Sequence, residues 1–383
     1  MSFREFISKH KQLRLDAGLL RELQVLDSPQ GVRVKRDGRE LINFSSNDYL
    51  GLANSNELKQ AAAAAIDQWG VGAAASHLVC GHQQPHQCLE EEVAEFVGAE
   101  KAIVFSSGYM TNLAIPNALL TRQDLFLQDK LNHASLIDAG LLCRASAKRF
   151  RHLDINHAAS LVERTEAANV LLATDGVFSM DGEVADVVSL SQICDSENHL
   201  LLVDDAHGFG VLGDRGAGTL ERAGLVVGGQ VLMVGTLSKA IGGFGAFAAG
   251  DRSLIDHLIQ HARSYIYTTA LPPAIVEANR ASLRLIKTES WRREKLAENV
   301  SLFRSLAAVK QIELLPSPTA IQSVMFSSAT RAVQASRDLE DAGFLVVAIR
   351  PPTVPEGSSR LRITLSAEHQ ESNIRALVDA LDI

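Results

Sequence analysis

Features that would point to a membrane, a nucleic acid or a disulfide framework are missing from this sequence. No uncharged apolar run reaches about 18 residues, so no membrane-spanning helix is expected. No basic run occurs and the net charge is −8, which argues against a nucleic-acid partner. The stretch MSFREFISKHKQLRLD is charged throughout, so a secretory signal is not expected. The absence of a CxxC pair predicts reduced thiols in a cytoplasmic protein; the cysteines are Cys80, Cys88, Cys143 and Cys194.

Nucleotide and metal signatures are absent or incomplete. A P-loop requires GxxxxGK[ST], and the dipeptide Gly-Lys does not occur in the chain, which argues against nucleotide hydrolysis. A GxGxxG pattern at 208–213 is separated from its strand by Asp-Asp-Ala-His, and a looser match begins at Gly243. An NAD-dependent dehydrogenase therefore stays only as an alternative from a different class. No metal site is predicted, because HExxH is absent and Pro85 lies between His82 and His86.

Three segments of different pattern follow one another along the 383 residues. Residues 1–54 start with apolar residues at helical spacing that continue to near Pro29, and a hairpin then turns at Asp37-Gly38. Residues 55–285 alternate strand-like and helix-like stretches. Their continuous apolar strands predict a doubly wound α/β domain around a mostly parallel sheet; they are KAIVFSS, LFLQDK, NVLLATDGVFS, HLLLVDDAH and VLMVGTLSK.

The last segment, residues 286–383, is predicted to form a small α+β domain. It follows a break at Pro272-Pro273 and contains the end of one long helical stretch that extends to about Val309. Its predicted strands are QIELLPS, AIQSVMFS, FLVVAIRPPTV and RLRITLS, and its predicted helices are AVQASRDLEDAG and ESNIRALVDALD.

Two of the predicted central strands end in residues that can do chemistry. LLLVDDAHGFG leads into Asp204 and His207, and VLMVGTLSKAIGGFG carries Lys239 a few residues after its strand. Carboxyl ends of neighbouring parallel strands meet in one crevice, so these side chains and Ser179 are expected to converge. A desolvated lysine can form a Schiff base, and a buried carboxylate suits the ring nitrogen of pyridoxal phosphate (PLP). Asp204 is therefore predicted to face that nitrogen, and His207 the phenolic oxygen.

Two further stretches suit the phosphate and the ring of this cofactor. FSSGYMTNLAI breaks a strand at Ser-Ser-Gly and enters a helix, so the amides of Gly108 and Tyr109 can hold an anion. LNHAS places His133 just before another helix, where its imidazole can stack on the ring. Taken alone, an ordinary strand–helix turn explains the first stretch and a plain helix start explains the second.

The ordered set of motifs resembles the α-oxoamine synthases, PLP enzymes that join an amino acid to an acyl thioester with loss of CO₂. The resemblance covers nearly the whole chain and implies the PLP-dependent aminotransferase-like fold (fold type I) with a small C-terminal α+β domain. The motifs are NFSSNDYLGL, SSGYMTN, LNHAS, DGVFSMDG, VDDAHGFG, GTLSKAIGGFG and AIRPPTVPEGSSRLRITL.

The resemblance assigns roles residue by residue. Four residues would be catalytic: Lys239 as Schiff-base lysine and acid–base at Cα, Asp204 on the pyridine nitrogen, His207 beside the phenolic oxygen and His133 above the ring. Those four would also bind the cofactor, together with Ser179 on the phenolic-oxygen side and with Gly108, Tyr109 and Thr236 on the phosphate. The substrate would contact His133, Arg21, Arg350 and Thr353, with Arg350 holding the amino-acid carboxylate.

The stretch AIRPPTVP is most like family members that act in biotin biosynthesis. Those members condense L-alanine with a pimeloyl thioester of coenzyme A or of acyl-carrier protein, as homodimers with a shared active site. Glycine- or serine-using members of the family stay open as alternatives, as does a PLP carrier without catalysis. Two departures leave local questions open. The stretch at 70–82 is poorer in glycine than the family's usual Gly/Ser-rich loop, and Phe209 stands where a small or hydroxylated residue is more usual.

Overall fold

The computed structural model describes residues 1–21, 23–197 and 199–381. Its helices are α1 Phe3–Asp16, α2 Asn56–Trp69, α3 Gln84–Val97, α4 Gly108–Leu119, α5 Ala134–Leu142, α6 Ile155–Glu163, α7 Val187–Glu197, α8 Thr219–Arg222, α9 Arg252–His261, α10 Arg263–Ile266, α11 Pro273–Thr288, α12 Trp291–Val309, α13 Ala329–Asp341 and α14 Glu371–Ala380, with a π-helical turn at His77–Gly81. The strands are β1 Arg33–Arg36, β2 Arg39–Asn43, β3 Lys101–Phe105, β4 Leu125–Asp129, β5 Ser146–Phe150, β6 Val170–Asp175, β7 Leu200–Asp204, β8 Val231–Thr236, β9 Ala246–Gly250, β10 Ile321–Phe326, β11 Phe344–Leu345, β12 Val347–Ile349 and β13 Ser359–Thr364.

The chain forms two compact units. The central unit comprises Leu50–Ser179 and Glu183–Glu294, and the terminal unit comprises Met1–Tyr49, Met180–Gly182 and Lys295–Ile383. The boundaries predicted from sequence, at 54/55 and 285/286, stay a prediction. No helix in the described ranges combines the length and the apolarity that crossing a membrane requires.

The central unit is built on a seven-stranded sheet with the order β3-β9-β8-β7-β6-β4-β5. The five strands β4 to β8 are parallel, and β9 runs antiparallel to both of its neighbours. Strands β4, β6, β8 and β9 are buried at every residue, as continuous apolar strands covered on both faces should be. The five strands predicted for this segment are confirmed, and so is the mostly parallel sheet.

The strand register brings chemically useful residues to one edge of this sheet. Asp175 at the end of β6 lies opposite Asp204 at the end of β7, and Asp204 lies opposite Val234 in β8. Ligands of open α/β sheets bind outside this carboxyl edge, so the order β8-β7-β6 defines where a site can form.

The terminal unit contains two small sheets. In one, β13 pairs antiparallel with both β10 and β12. In the other, the hairpin β1-β2 takes up β11 from the distant tail, with Phe344 opposite Ile42 in a parallel pair. The predicted hairpin is confirmed, and its turn residues Asp37 and Gly38 have φ values of 50° and 75°, as an Asp-Gly turn between twisted strands requires.

Several local predictions were wrong. The first helix ends at Asp16 rather than near Pro29, because Gly18 takes φ +64° and closes the last turn. The predicted strand QIELLPS makes only an isolated bridge at Leu314, since Pro316 has no N–H with which to extend a ladder.

The other differences are in the element count. The single long helix predicted after Pro272-Pro273 is interrupted at Glu289, whose ψ of 63° is not helical, and becomes α11 and α12. Strands β5 and β9 were not predicted. Four of the five residues of β5 are exposed at the sheet edge, and β9 is a short Ala/Gly-rich segment that carries little strand signal.

Candidate active site

A pocket of about 180 Å³ lies at the carboxyl edge of the central sheet. All eight residues predicted to bind a cofactor line it: Gly108, Tyr109, His133, Ser179, Asp204, His207, Thr236 and Lys239. Six further residues that were not predicted from the sequence also line it: Asn112, Asp175, Val177, Ala206, Val234 and Ser238. The roles of the eight stay predictions, but their convergence follows from β6, β7 and β8 being neighbours.

Asp204 is held as a hydrogen-bond acceptor on the floor of this pocket. It is buried at the last position of β7, and Asn112 donates from Nδ2 to its Oδ2 at 2.6 Å. Its Oδ1 accepts the N–H of Ala206 at 3.1 Å. No Lys or Arg of the described ranges lies within 4.0 Å of its carboxylate, so a cationic ligand group would supply the missing charge.

Asp175 is a second buried carboxyl beside Asp204. Burial and the nearby charge of Asp204 raise the pKa of Asp175 well above its ordinary value. Asp175 also accepts the backbone N–H of His133 at 3.1 and 3.2 Å. Two adjacent carboxyls do not both ionise readily, and this favours the protonated form of Asp175. Its place at the end of a predicted strand, in ATDG, was the signal available in the sequence.

Lys239 lies on a tight turn after β8. Its Nζ is 3.0 Å from Nε2 of His207. The turn closes through the N–H of Gly242, which donates to the Lys239 carbonyl at 2.8 Å. Gly242 has φ +72°, and a Cβ there would stand 2.4 Å from the backbone nitrogen of Ala53. Only glycine fits that position, and the turn consequently presents the amine to the pocket.

A chain of hydrogen bonds joins Asp204 to His133. Nδ2 of Asn112 also donates to Oγ of Ser135 at 2.9 Å, and that oxygen is 2.7 Å from Nδ1 of His133. The backbone N–H of Ser135 donates to the same Nδ1 at 3.3 Å. Since an N–H can only donate, Nδ1 is an acceptor and the neutral ring carries its proton on Nε2. Burial lowers the pKa of His133, so this neutral form predominates.

The other end of the pocket offers donors for an anion. Ser107 caps α4 by accepting the N–H of Met110 at 3.3 Å. The N–H groups of Gly108 and Tyr109 lie in the first turn, where the helix supplies no acceptor, and the helix dipole favours a negative charge. Across the pocket, Oγ1 of Thr236 and Oγ of Ser238 are 2.7 Å apart.

The donor set fits PLP. Helix-terminal amides and hydroxyls suit a phosphate, a buried carboxylate suits a protonated ring nitrogen, and an amine beside an imidazole suits an aldehyde. An adenine dinucleotide would need a glycine fingerprint opening a helix directly after a strand. Here the glycines of 208–213 follow β7 after three intervening residues, and Gly208 and Gly213 pack against Asp205 and Glu221.

We expect Asn112→Ala to lower kcat about 10- to 100-fold, the value of one hydrogen bond to a charged group. The variant leaves Oδ2 of Asp204 and Oγ of Ser135 without their shared donor. Its signature is a shift in the pH dependence of the bound cofactor's visible absorption, which a purely structural defect would not move. Asn117→Ala is the matched control, since Asn117 lies on the same helix and bonds only to the Leu113 carbonyl. Equal kcat values for the two variants would contradict the positioning role.

Three of the four residues predicted to contact substrate lie in the terminal unit, and the fourth, His133, lines the pocket of the central unit. Arg21 donates from Nη2 to Oγ1 of Thr353 at 3.0 Å. Arg350 donates to the carbonyl of Gly18 and, at 2.7 Å, to that of Leu20. Within the terminal unit these hydrogen bonds link the segment that carries Arg21 to the one that carries Arg350 and Thr353. Their role toward a substrate stays a prediction.

Asp205, the second aspartate of the DDAH motif, stabilises the local fold and does not line the pocket. Asp205 is fully buried and accepts both the N–H, at 2.5 Å, and the hydroxyl of Thr219, which fixes the start of α8. A Cβ on Gly208 would stand 2.1 Å from its Oδ1, so the glycine leaves room for this carboxylate. Phe209 is also buried and packs edge-on against Phe96 and Phe247.

His152 ties the hairpin that carries Ser179 to the sheet. Its Nδ1 is 2.9 Å from Oδ1 of Asp129, and its Nε2 is 2.7 Å from Oε2 of Glu183. The Phe178 ring packs edge-on against the imidazole. Burial alone would lower the pKa of His152, but the hydrogen bonds and charges of the two carboxyls outweigh it and raise the pKa.

A raised histidine pKa adds stability that is complete below the ordinary value of 6.5 and is lost as pH rises through the folded-state pKa. We therefore expect the Tm advantage of wild type over His152→Gln to be largest near about pH 6 and to shrink toward about pH 9. Calorimetric scans over that range measure it, with His261→Gln at an exposed site as control. An advantage that is constant with pH would refute the ion-pair contribution.

Comparison with known proteins agrees with this geometry. The family model for aminotransferase class I and II matches residues 39–381. An 8-amino-7-oxononanoate synthase of Methylococcus capsulatus is 51% identical over 94% of this chain and 92% of its own length. A solved serine palmitoyltransferase of S. paucimobilis with a bound PLP–myriocin aldimine is 28% identical, with a TM-score of 0.92 over 98% of this chain and 96% of that chain.

A crystal structure of an 8-amino-7-oxononanoate synthase from Francisella tularensis is 31% identical, with a TM-score of 0.78 over 89% of this chain and 96% of that chain. These similarities bear out the predicted fold type and the resemblance stated from the motifs. The chain therefore belongs to the aminotransferase class I and II family and, within it, to the family of the 8-amino-7-oxononanoate synthases among the α-oxoamine synthases.

Proposed function

We propose that this chain is a PLP-dependent acyltransferase of biotin biosynthesis. It condenses L-alanine with a pimeloyl thioester and releases 8-amino-7-oxononanoate, CO₂ and the free thiol. The observation that carries the proposal is one pocket in which Lys239, the buried Asp204 and His133 meet beside the N-terminus of α4. The 51% identity to a synthase of that name supports the choice of substrates.

Bound PLP would supply an electron sink for negative charge at the substrate Cα. Lys239 would bind the cofactor aldehyde through Nζ and, once displaced by the substrate amine, take the Cα proton. Its neighbour His207, 3.0 Å away, can exchange a proton with Nζ. Asp204 would hold a proton on the ring nitrogen, with Asn112 keeping its carboxylate in position.

His133 would lie over the ring with Nε2–H as its available donor. The amides of Gly108 and Tyr109, with Thr236 and Ser238, would bind the phosphate, and Ser179 would lie on the phenolic-oxygen side. Arg350 would grip the amino-acid carboxylate, with Thr353 and Arg21 beside it. In this structure Arg350 is bound to the carbonyls of Gly18 and Leu20, so substrate binding would have to displace those bonds.

We propose a cytoplasmic homodimer with a shared active site. Helix α1 supports the dimer, since it has no buried residue and exposes Phe3, Ile7 and Leu13 by 86%, 61% and 54%. Such apolar exposure is typical of a surface that a second copy covers. Mass measurement in solution tests the dimer, and removal of residues 1–17 should weaken it. The four cysteines form no disulfide, which supports the proposed cytoplasmic location because disulfides are rare there.

The activity is tested by thiol release from purified, PLP-loaded protein. Pimeloyl-coenzyme A is offered with L-alanine, glycine or L-serine in separate reactions, and a pimeloyl carrier protein replaces the coenzyme A donor in a parallel set. Release with L-alanine supports the proposal. Release only with serine or glycine would move the chain to a sister activity, and the similarity to a serine palmitoyltransferase makes the serine reaction the key comparison.

A further inference from the structure

A second cavity in the central unit holds a cluster of nitrogen and oxygen donors. It measures about 410 Å³ and shares no lining residue with the candidate active site. His77, His82 and Glu90 lie on its wall, and each offers one donor atom within 4.8 Å of the other two. In the described ranges this is the one group of three or more His, Cys, Asp or Glu side chains so arranged.

The π-helical turn His77–Gly81 brings the two imidazoles together. His82 directly follows the turn, and Nδ1 of His77 lies 2.9 Å from Nδ1 of His82. The turn depends on Gly81, because a Cβ there would stand 2.0 Å from the carbonyl oxygen of Ala75. Two ring nitrogens at this distance share one proton, so one of them already presents a lone pair toward the other.

Glu90 reaches the cluster from α3. Its Oε1 accepts the N–H of Val104 at 2.9 Å, and its Oε2 lies 3.9 Å from Nε2 of His82. The residue is 6% exposed, and no Lys or Arg of the described ranges lies within 4.0 Å of its carboxylate. The nearest candidate, Lys101, is paired with Asp256 at 2.6 Å. A buried carboxylate without a strong cationic partner is costly, and a bound cation would remove that cost.

The neighbouring aromatic and histidine side chains act as supports. The Tyr265 ring stacks on His77 with centroids 4.7 Å apart and planes at 14°, which holds the imidazole plane. His86 is not available as a ligand, because Nε2 donates to the Leu271 carbonyl and Nδ1 accepts the N–H of Gln83. From the sequence, His82 and His86 were rejected as a metal pair, and the fold instead places His82 beside His77.

We propose that His77, His82 and Glu90 form a binding site for a divalent first-row transition ion, with Zn²⁺ as the favoured ion and water as a fourth ligand. Two imidazoles and a carboxylate are a donor set that Zn²⁺ and Co²⁺ accept. Ligands about 2.0–2.1 Å from a tetrahedral ion are roughly 3.3 Å apart. The two Nδ1 atoms would therefore separate slightly and the Glu90 oxygen would move closer. The ion would link the turn at 77–81 to α3.

Cobalt titration of the PLP-loaded protein, freed of metal by a chelator, tests the site. Co²⁺ gives visible d–d absorption, which reports ligand geometry independently of acyltransferase activity. We expect one Co²⁺ per chain, displaced by Zn²⁺, and a rise in Tm on Zn²⁺ addition. The readout does not use turnover, so its failure is distinct from failure of the proposed function.

Four variants locate the ion. His82→Gln and Glu90→Gln should each weaken Co²⁺ binding at least about 10-fold and remove the Zn²⁺-dependent rise in Tm. Both keep side-chain size, and His82 is only half-buried, so the fold should survive, which circular dichroism checks. His261→Gln removes the exposed pair His257–His261, the alternative site with i,i+4 spacing. Cys80→Ser removes the exposed thiol in the turn.

The last two variants should bind Co²⁺ as wild type does. The proposal is overturned if wild type binds no ion, if His82→Gln and Glu90→Gln bind as tightly as wild type, or if His261→Gln or Cys80→Ser alone abolishes binding.

Discussion

Lys239→Ala is expected to lower turnover at least about 10³-fold, because it would remove both the amine proposed to bind the cofactor and the base proposed to take the Cα proton. The pocket places this amine 3.0 Å from His207 on a glycine-dependent turn, and no other lysine lines it. Single-turnover and steady-state assays of thiol release measure the loss. The visible absorption of lysine-bound cofactor should vanish as well, while excess PLP still raises Tm.

Lys148→Ala is the matched control for this variant. Lys148 lies exposed on the edge strand β5, so its removal changes the net charge equally without touching the pocket. Wild-type turnover in the control with loss in Lys239→Ala supports the assignment. Sustained multiple turnover by Lys239→Ala would disprove it.

Asp204→Asn is expected to lower kcat about 100-fold or more while changing Tm little. The amide has nearly the same shape but cannot hold a protonated ring nitrogen by charge, a contribution of about 1.5–3 kcal/mol before any effect on the electron sink. Nδ2 of Asn112 can still donate a hydrogen bond to the side-chain oxygen of the new asparagine. The kcat for thiol release and the pH profile of cofactor absorption are the measurements.

Asp205→Asn is the neighbouring comparison. Asp205 accepts two hydrogen bonds from Thr219. In the asparagine variant the amide nitrogen must face one of these two donors, and that donor then loses its hydrogen bond at a cost of about 1–3 kcal/mol. We therefore expect the two variants to differ: Asp204→Asn should lower kcat, whereas Asp205→Asn should lower Tm. Near wild-type kcat in Asp204→Asn would rule out its role at the ring nitrogen.

Much of the central unit was predictable because its strands carry continuous apolar runs. Asp204, His207 and Lys239, which end or follow two of them, could be placed at one edge by assuming that the strands are neighbours, whereas Asp175 at the end of a third was not predicted. The secondary-structure prediction failed for elements whose local sequence pattern does not indicate their structure. The edge strand β5 is mostly exposed, β9 is Ala/Gly-rich, and QIELLPS has strand-like composition without a partner ladder.

The supporting residues of the site were not predictable in the same way. Asn112 was passed over as a helix residue, yet its amide bridges Asp204, 92 positions away, and Ser135, 23 positions away. Nothing within SSGYMTN indicates which face of that helix meets the sheet. The same holds for His77, whose contact with His82 depends on a π-helical turn that composition does not indicate.

The sequence alone determined where strands and helices with strong periodicity lie, and which chemically active residues stand at strand ends and helix starts. Those are local properties, set by side-chain pattern and backbone preference within a few residues. The tertiary structure decided the order β8-β7-β6, the pairing of Asn112 with Asp204 and the meeting of His77, His82 and Glu90. These contacts depend on how buried surfaces pack across long sequence separations, so the short-range sequence pattern does not predict them.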